Sequence, residues 1–507
     1  MIEMGEDFRT CPVTGFKVHL PAERLIKVNA VTAVVALLVG AVMAILIALT
    51  RWEAVHLLRP MDYYKFVTLH GWNMLGFWII FFEVAVLYFA GAVMLNSRLA
   101  SPRLGWVAYA LMLVGAVGTN LTVLMNPAKN AIMFTSYVPL KATPGYYLSV
   151  ILFAVGALLA VFNFLWTLYI AKKERTYQGS LPLVVFGALT AAIIAVSTLL
   201  FGAAALVPTL LWSMGISQTW DALAYRIVFW AFGHPSQQIN VAAMIAIWYL
   251  LAYLTVGGTT ISEKFSRIAF LFYILFINIA SAHHLLVDPG VGTAWKIWNT
   301  SYAMYLAVLA SMMHAFAVPA AIEVAQRRKG FNRGLFEWLW KAPWSNPSFS
   351  ALILSIIIFG FLGGISGVIQ GTEQLNIRFH NTLAVPGHFH GTVAGGTTLA
   401  FMGITYYVLP LIFRRELVGK RLAVYQPWIF GIGIALVSIG MQGAGLYGVP
   451  RRHADITGFG GSGFAFEYDP TAYLWLSVLG IGGILAFIGA VLFVLIAVAT
   501  LLKGRRL

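Results

Sequence analysis

Apolar runs of roughly twenty residues recur along the whole chain, and nothing else in it restricts the fold as tightly. A run of that length crosses the hydrocarbon core of a bilayer as a helix of about 30 Å. Backbone in lipid must satisfy its own hydrogen bonds, which leaves helices or a closed barrel. The pattern predicts about twelve spans, near 26–50, 64–95, 103–125, 144–171, 181–212, 220–256, 265–286, 298–325, 348–370, 383–413, 424–449 and 471–502. The linkers are short, so we expect an all-α polytopic membrane bundle forming one domain over 1–507. A composition of 60% hydrophobic and 10% charged residues agrees, being too apolar for a soluble domain. The first apolar run follows a mostly polar stretch, is too long for a secretory leader and lacks a small-residue cleavage site.

A formal charge of +15 raises the question of nucleic acid, and its distribution answers it. With the N-terminus inside, about 23 Lys/Arg fall on the inner side and about 10 on the outer. Lys172, Lys173 and Arg175, then Arg327, Arg328 and Lys329, and then Arg414, Arg415, Lys420 and Arg421 carry the bias. The charge orients the protein in a prokaryotic cytoplasmic membrane with both termini cytoplasmic, and no nucleic-acid partner is expected. Cys11 is the single cysteine, which excludes disulfides within the chain, thiolate metal clusters and C-x-x-C-H haem attachment.

Ionisable residues inside spans are costly and mark function by default. His70 lies in "TLHGWNML", His234 in "AFGHPSQQIN", His283 and His284 in "SAHHLLVDPG", and His388 and His390 in "PGHFHGT". Counted from the span ends, all fall in the outer half of the bilayer. His388 and His390 point roughly 200° apart on a helix, so they serve different faces. One can pair with His70 across a six-coordinate haem. The other can hold a haem whose open face looks toward His234, His283 and His284, and three imidazoles there suit copper or iron.

These residues carry a resemblance. The second-span histidine, "GHP", "HH" followed by "DPG", "HNT…VPGHFH" and "VPRR" at 449–452 together resemble the catalytic subunit I of the haem-copper oxidase superfamily. The resemblance implies a low-spin haem, expected to be b-type, on His70 and His390, and a high-spin haem of undetermined type on His388. It also implies a second metal on His234, His283 and His284. Arg451 and Arg452 look like the pair that binds haem propionates, a role for which paired guanidiniums are suited, and His380 of "HNT" belongs to the cofactor-binding set. Within the superfamily the chain looks closest to the B-type branch. Its loop "NSRLASPR" has no carboxylate, Ser236 stands where Glu is frequent after His-Pro, and the eighth span has no interior Lys. A polar trail through Tyr249, Ser311 and His314 then resembles the B-type proton channel, with His314 where a hydroxyl is usual. Glu83 is one more intramembrane acid, either proton-loading, salt-bridged or facing a partner.

One position departs from the pattern. Oxygen reductases of this family carry Tyr four residues after the sixth-span histidine, where it supplies an electron and a proton for O–O cleavage. Here that residue is Gln238, on the same helix face as His234. The one tyrosine of the seventh span, Tyr273, lies about 15 Å along the axis from His283. Nitric oxide reductases of the superfamily manage without this tyrosine, and the cytochrome-type ones place a Glu here. The resemblance therefore implies reduction of two NO to N₂O at a haem/three-His centre, with copper favoured over iron because an amide is a poor ligand. The alternative is a terminal oxygen reductase, cytochrome c oxidase-like, that tolerates Gln238. A haem-based gas sensor or carrier is disfavoured by the three-His set. Without cysteines for a dicopper entry site, electrons should arrive from a cupredoxin-like or cytochrome c-type subunit.

Overall fold

A computed structural model describes residues 7–277, 281–455 and 467–507. Among these, helices long and apolar enough to cross a membrane are α1 (Leu20–Arg51), α2 (Pro60–Val93), α3 (Pro102–Met125), α4 (Pro144–Lys173), α5 (Leu183–Ser213) and α6 (Ala222–Val256). After the shorter α7 (Glu263–Phe272) come α8 (Thr293–Arg328), α9 (Pro347–Gly371), α10 (Ala384–Ile412), α11 (Lys420–Leu446) and α12 (Pro470–Lys503). The protein is an integral membrane bundle.

Helix starts follow local chemistry. Ser101, Asp221, Ser262, Asn346 and Asp469 each accept a backbone N–H of the following turn through their side chains. Pro102, Pro347 and Pro470 stand just inside, where a missing N–H costs nothing. Most consecutive helices pack as neighbours, α8 and α9 being an exception, and α1 packs against α12. Small residues allow the closest approach: a Cβ on Gly440 of α11 would sit 2.5 Å from the Leu479 nitrogen of α12. At one end a two-stranded hairpin, β1 (Phe8–Thr10) with β2 (Lys17–His19), is pinned by Arg9, which grips Glu23 with two N–H groups and donates to the Leu411 carbonyl.

His70, His234, His388 and His390 reside on the innermost helices, since α2, α6 and α10 are the most buried of the spans. Three regions depart from plain α-helix beside them. π-helical segments occupy Trp72–Trp78 just after His70, Ile358–Gly364 in α9, and His390–Thr398 in α10. Such segments widen a helix locally and occur mostly at functional sites. The expected seventh span, 265–286, is not one continuous α-helix. It turns π-helical over Tyr273–Ile277, its residues 278–280 lie outside the described residues, and His283 and His284 sit on a 3₁₀ turn, Ser281–Leu285. α2 begins at Pro60, before the expected 64, so His70 is its eleventh residue.

Candidate functional site

Two cavities lie on opposite sides of α10. The first, about 270 Å³, is lined by His70, His390, Phe389, Arg451 and Arg452 among mostly aliphatic side chains. The His70 Nδ1 lies 3.0 Å from the Gly40 carbonyl of α1, and the His390 Nδ1 lies 2.7 Å from the Pro386 carbonyl. A carbonyl on Nδ1 fixes the proton there and leaves Nε2 as the ligand atom. The two rings are 6.1 Å apart and 8° from parallel, a spacing that admits one ion between facing nitrogens at bonds of about 2 Å. The spacing fits a bis-imidazole haem.

At the rim of the same cavity, neither Arg451 nor Arg452 has a carboxylate in ion-pair reach among the described residues. Arg452 lies over the Tyr137 ring, 5.0 Å from its centre. Burial, and then Arg452, pulls the Arg451 guanidinium down to about 9, still charged at neutral pH. Two half-buried cations with no carboxylate partner among the described residues fit a ligand that brings its own carboxylates.

The second cavity, about 150 Å³, is lined by His234, Gln238, His283, His284, His380, His388, Ser311 and Tyr137. His388 projects into it from the face of α10 opposite His390. Its Nδ1 lies 2.9 Å from the Gly363 carbonyl and 3.1 Å from the Ser366 hydroxyl, again leaving Nε2 free. Gly367 makes room, since a Cβ there would lie 2.9 Å from the His388 Cε1. His234, His283 and His284 bring ligand atoms within 4.8 Å of one another. The His234 Nδ1 and His284 Nε2 are 3.1 Å apart, about the edge of a coordination shell with bonds near 2 Å. Trp230 stacks on His284 at 3.8 Å, holding the ring flat. The donor set fits a borderline metal such as copper. Gln238 reaches this cluster directly, its amide N–H donating to the His234 Nε2 over 3.1 Å.

Between the cavities and the chain's loops stands a charged group that sequence reasoning only partly found. Arg226 of α6 grips Asp288 with two bonds of 2.6 and 2.9 Å. His380, expected in the cofactor set, lies 3.8 Å from that carboxylate. Burial lowers the His380 imidazole below its usual range, Asp288 opposes this, and Arg451, Arg226 and Arg452 add to it. The acid of "DPG" in a chain with few charges was the available signal for Asp288.

The expected trail of Tyr249, Ser311 and His314 divides in two. Tyr249 bonds Ser266 and the His314 Nδ1, each at 2.9 Å. Ser311 is not joined to either; it bonds the Tyr273 hydroxyl at 2.8 Å. Tyr273 was set aside on its axial distance from His283, yet it meets a residue lining the second cavity. Glu83 lines a third, almost wholly apolar cavity of about 270 Å³. It makes no salt bridge among the described residues, and its Oε1 has no hydrogen-bond partner.

Residues 24–492 match the family described as cytochrome c and quinol oxidase polypeptide I. Cytochrome c oxidase subunit 1 of Thermus thermophilus is 33% identical over 398 residues, 77% of this chain and 69% of that protein. The alternative cytochrome c oxidase subunit 1 of Bradyrhizobium diazoefficiens is 23% identical, over 78% of this chain and 68% of that one. A solved haem-copper terminal oxidase, a dimer, superposes with a TM-score of 0.89 at 26% identity, covering 96% of this chain and 85% of that chain.

Proposed function

The chain belongs to the cytochrome c and quinol oxidase polypeptide I family, and on that premise we propose that it is the haem- and copper-bearing subunit of a respiratory reductase whose acceptor is nitric oxide. In this reading His70 and His390 hold a low-spin haem, His388 a high-spin haem, and His234, His283 and His284 copper. Arg451, Arg452 and His380 face the propionates. When bound, these groups supply electrons one at a time and an open site for a diatomic gas. The haem side chains and the B-type ancestry are part of the same proposal, the latter resting on Ser236 and the loop 96–103 without a carboxylate.

Gln238 is the single observation that carries the choice of acceptor. An amide offers a donor and an acceptor but neither a transferable electron nor an acidic proton. Four-electron cleavage, O₂ + 4 e⁻ + 4 H⁺ → 2 H₂O, needs more electrons from the pocket than 2 NO + 2 e⁻ + 2 H⁺ → N₂O + H₂O. Of the other phenols at hand, Tyr273 bonds Ser311, Tyr249 bonds His314, and Tyr137 accepts the Trp230 N–H. A second reading has its own support. The relatives are named for oxidation of cytochrome c, and on comparison alone oxygen reduction is the better-supported reaction.

The two halves of the enzyme's supply follow from the charge bias. Both termini lie in the cytoplasm of a prokaryote, electrons enter at the histidine-bearing outer side from a cupredoxin-like or cytochrome c-type subunit, and protons enter from the cytoplasm past Tyr249 and His314. Turnover of the purified enzyme with NO, and separately with O₂, from one common donor tests the acceptor, with metal quantitation alongside. Rapid N₂O formation with slow O₂ uptake is expected. Fast O₂ reduction with negligible N₂O overturns the NO reading and establishes the second.

A further inference from the structure

The N–H that fixes His388 has two acceptors in reach, and only one of them is backbone. The His388 Nδ1 lies 2.9 Å from the Gly363 carbonyl and 3.1 Å from the Ser366 hydroxyl. Ser366 is buried, on the first turn after the π-helical segment Ile358–Gly364. Its O–H reaches the carbonyl of Leu362, four residues back, and its oxygen lies 2.9 Å from the carbonyl of Gly363. A serine hydroxyl has one proton to give, and within a helix the carbonyl four residues back is its usual acceptor. With that proton on Leu362, the lone pairs of the oxygen are left for the Nδ1–H.

The backbone around His388 is held without Ser366. On α9 the Leu362 carbonyl also accepts the Gln442 amide of α11 at 3.1 Å. On α10 the Gly387 carbonyl accepts the Ser438 hydroxyl of α11 at 2.7 Å, and Gln442 donates to Ser438 at 2.9 Å. One pair of side chains on α11 thus ties both helices. The frame needs no further brace, and the contact that belongs to Ser366 alone is the imidazole.

We propose that Ser366 is a positioning residue that sets how strongly His388 donates to the iron it holds. A second acceptor on the Nδ1–H draws that proton outward and leaves more charge on Nε2, the ligand atom. A stronger axial donor sends more electron density to the open face of the haem, where a gas binds. The inference rests on His388 as the high-spin haem ligand proposed above and holds for either gas.

The test is the iron–imidazole stretching band in the resonance Raman spectrum of the reduced, gas-free holoenzyme, with a spectroelectrochemical titration alongside. Ser366→Ala should move the band to lower frequency. It should also raise the ratio of reduced to oxidised high-spin haem at a fixed poise about two- to fivefold, the worth of one hydrogen bond, with the low-spin haem unmoved. Ser366→Thr keeps the hydroxyl and should keep the parental values. A serine that only fills space predicts a parental band in Ser366→Ala. An unmoved or raised band in that variant, or an equal fall in Ser366→Thr, overturns the role. Should Ser366→Ala lose haem, Ser366→Cys decides, because its thiol is a weak acceptor in the same place. A lowered band there supports the role and a parental one sinks it. A parent with no iron–imidazole band would overturn His388 as ligand and this inference with it, whereas the NO and O₂ assays bear on the acceptor alone.

Discussion

The two cavities flanking α10 hold their histidines by different means. In the first, His70 and His390 are each tethered through Nδ1 to a backbone carbonyl, Gly40 and Pro386. The ligand atoms point forward before anything binds, which is preorganisation by the scaffold. In the second, His388 is tethered in the same way, but His234 is not. Its Nδ1 lies against His284 and its Nε2 accepts from Gln238. Both nitrogens are engaged, so an ion that takes either one must displace a neighbour. The first cavity is built by backbone, and the second is assembled by side chains whose order depends on what they hold.

The difference can be broken first at the ligands. His234→Ala should abolish gas turnover and remove one non-haem metal per chain while the low-spin spectrum stays intact. His390→Ala should erase the low-spin signal and leave a high-spin one. Absorption spectra with metal analysis read both, and loss of both signals from either change would show that the cavities are not independent. Next in size are changes at 238. Gln238→Glu puts a carboxylate against the His234 ring and should move the bound metal from copper toward iron. Gln238→Tyr should raise the ratio of O₂ to NO turnover about tenfold or more if a phenol there can supply the missing proton and electron. An unchanged ratio would mean that residue 238 does not select the acceptor.

A smaller effect is expected away from both cavities. Tyr249→Phe removes the hydroxyl between Ser266 and His314 and should slow turnover about tenfold with unaltered haem spectra. Parental turnover would place proton uptake on the other face. The smallest effect concerns pH. Burial depresses the folded-state pKa of His380, so between that value and the unfolded value of about 6.5 the unfolded chain binds more protons. Stability therefore rises with pH across that window and is lost as pH falls through it. His380→Gln should flatten the slope of thermal stability below pH about 6.5, and an unchanged slope would assign it to other groups.

The histidines were legible because lipid makes each of them expensive, and a helical period of 3.6 was enough to send His388 and His390 to different cavities. Gln238 was legible for the same reason, one turn from His234. What escaped were contacts made across helices at angles a single-helix pattern cannot encode. Tyr273 was measured along its own axis to His283, while its hydroxyl goes sideways to Ser311 of α8. The Arg226–Asp288 grip likewise joins α6 to the segment after His284. The end of the seventh span escaped because a switch from α to π and then to 3₁₀ leaves hydropathy unchanged. Which nitrogen of His314 finds a partner could not have been read at all, since only packing decides it.

The π-helical segments carry a consequence for how such a chain can change over time. A π turn accommodates one more residue than the α turn it replaces, so His390–Thr398 can be regarded as an inserted residue retained in place. Losing one residue there would restore a plain α-helix and rotate everything downstream by about 100°. His390 and its Pro386 tether would stay put. Gly396, whose carbonyl accepts from Ser355 of α9, would swing out of reach. Single-residue gaps between lineages should therefore be confined to these segments, where each one re-aims half a helix without touching the ligand beside it.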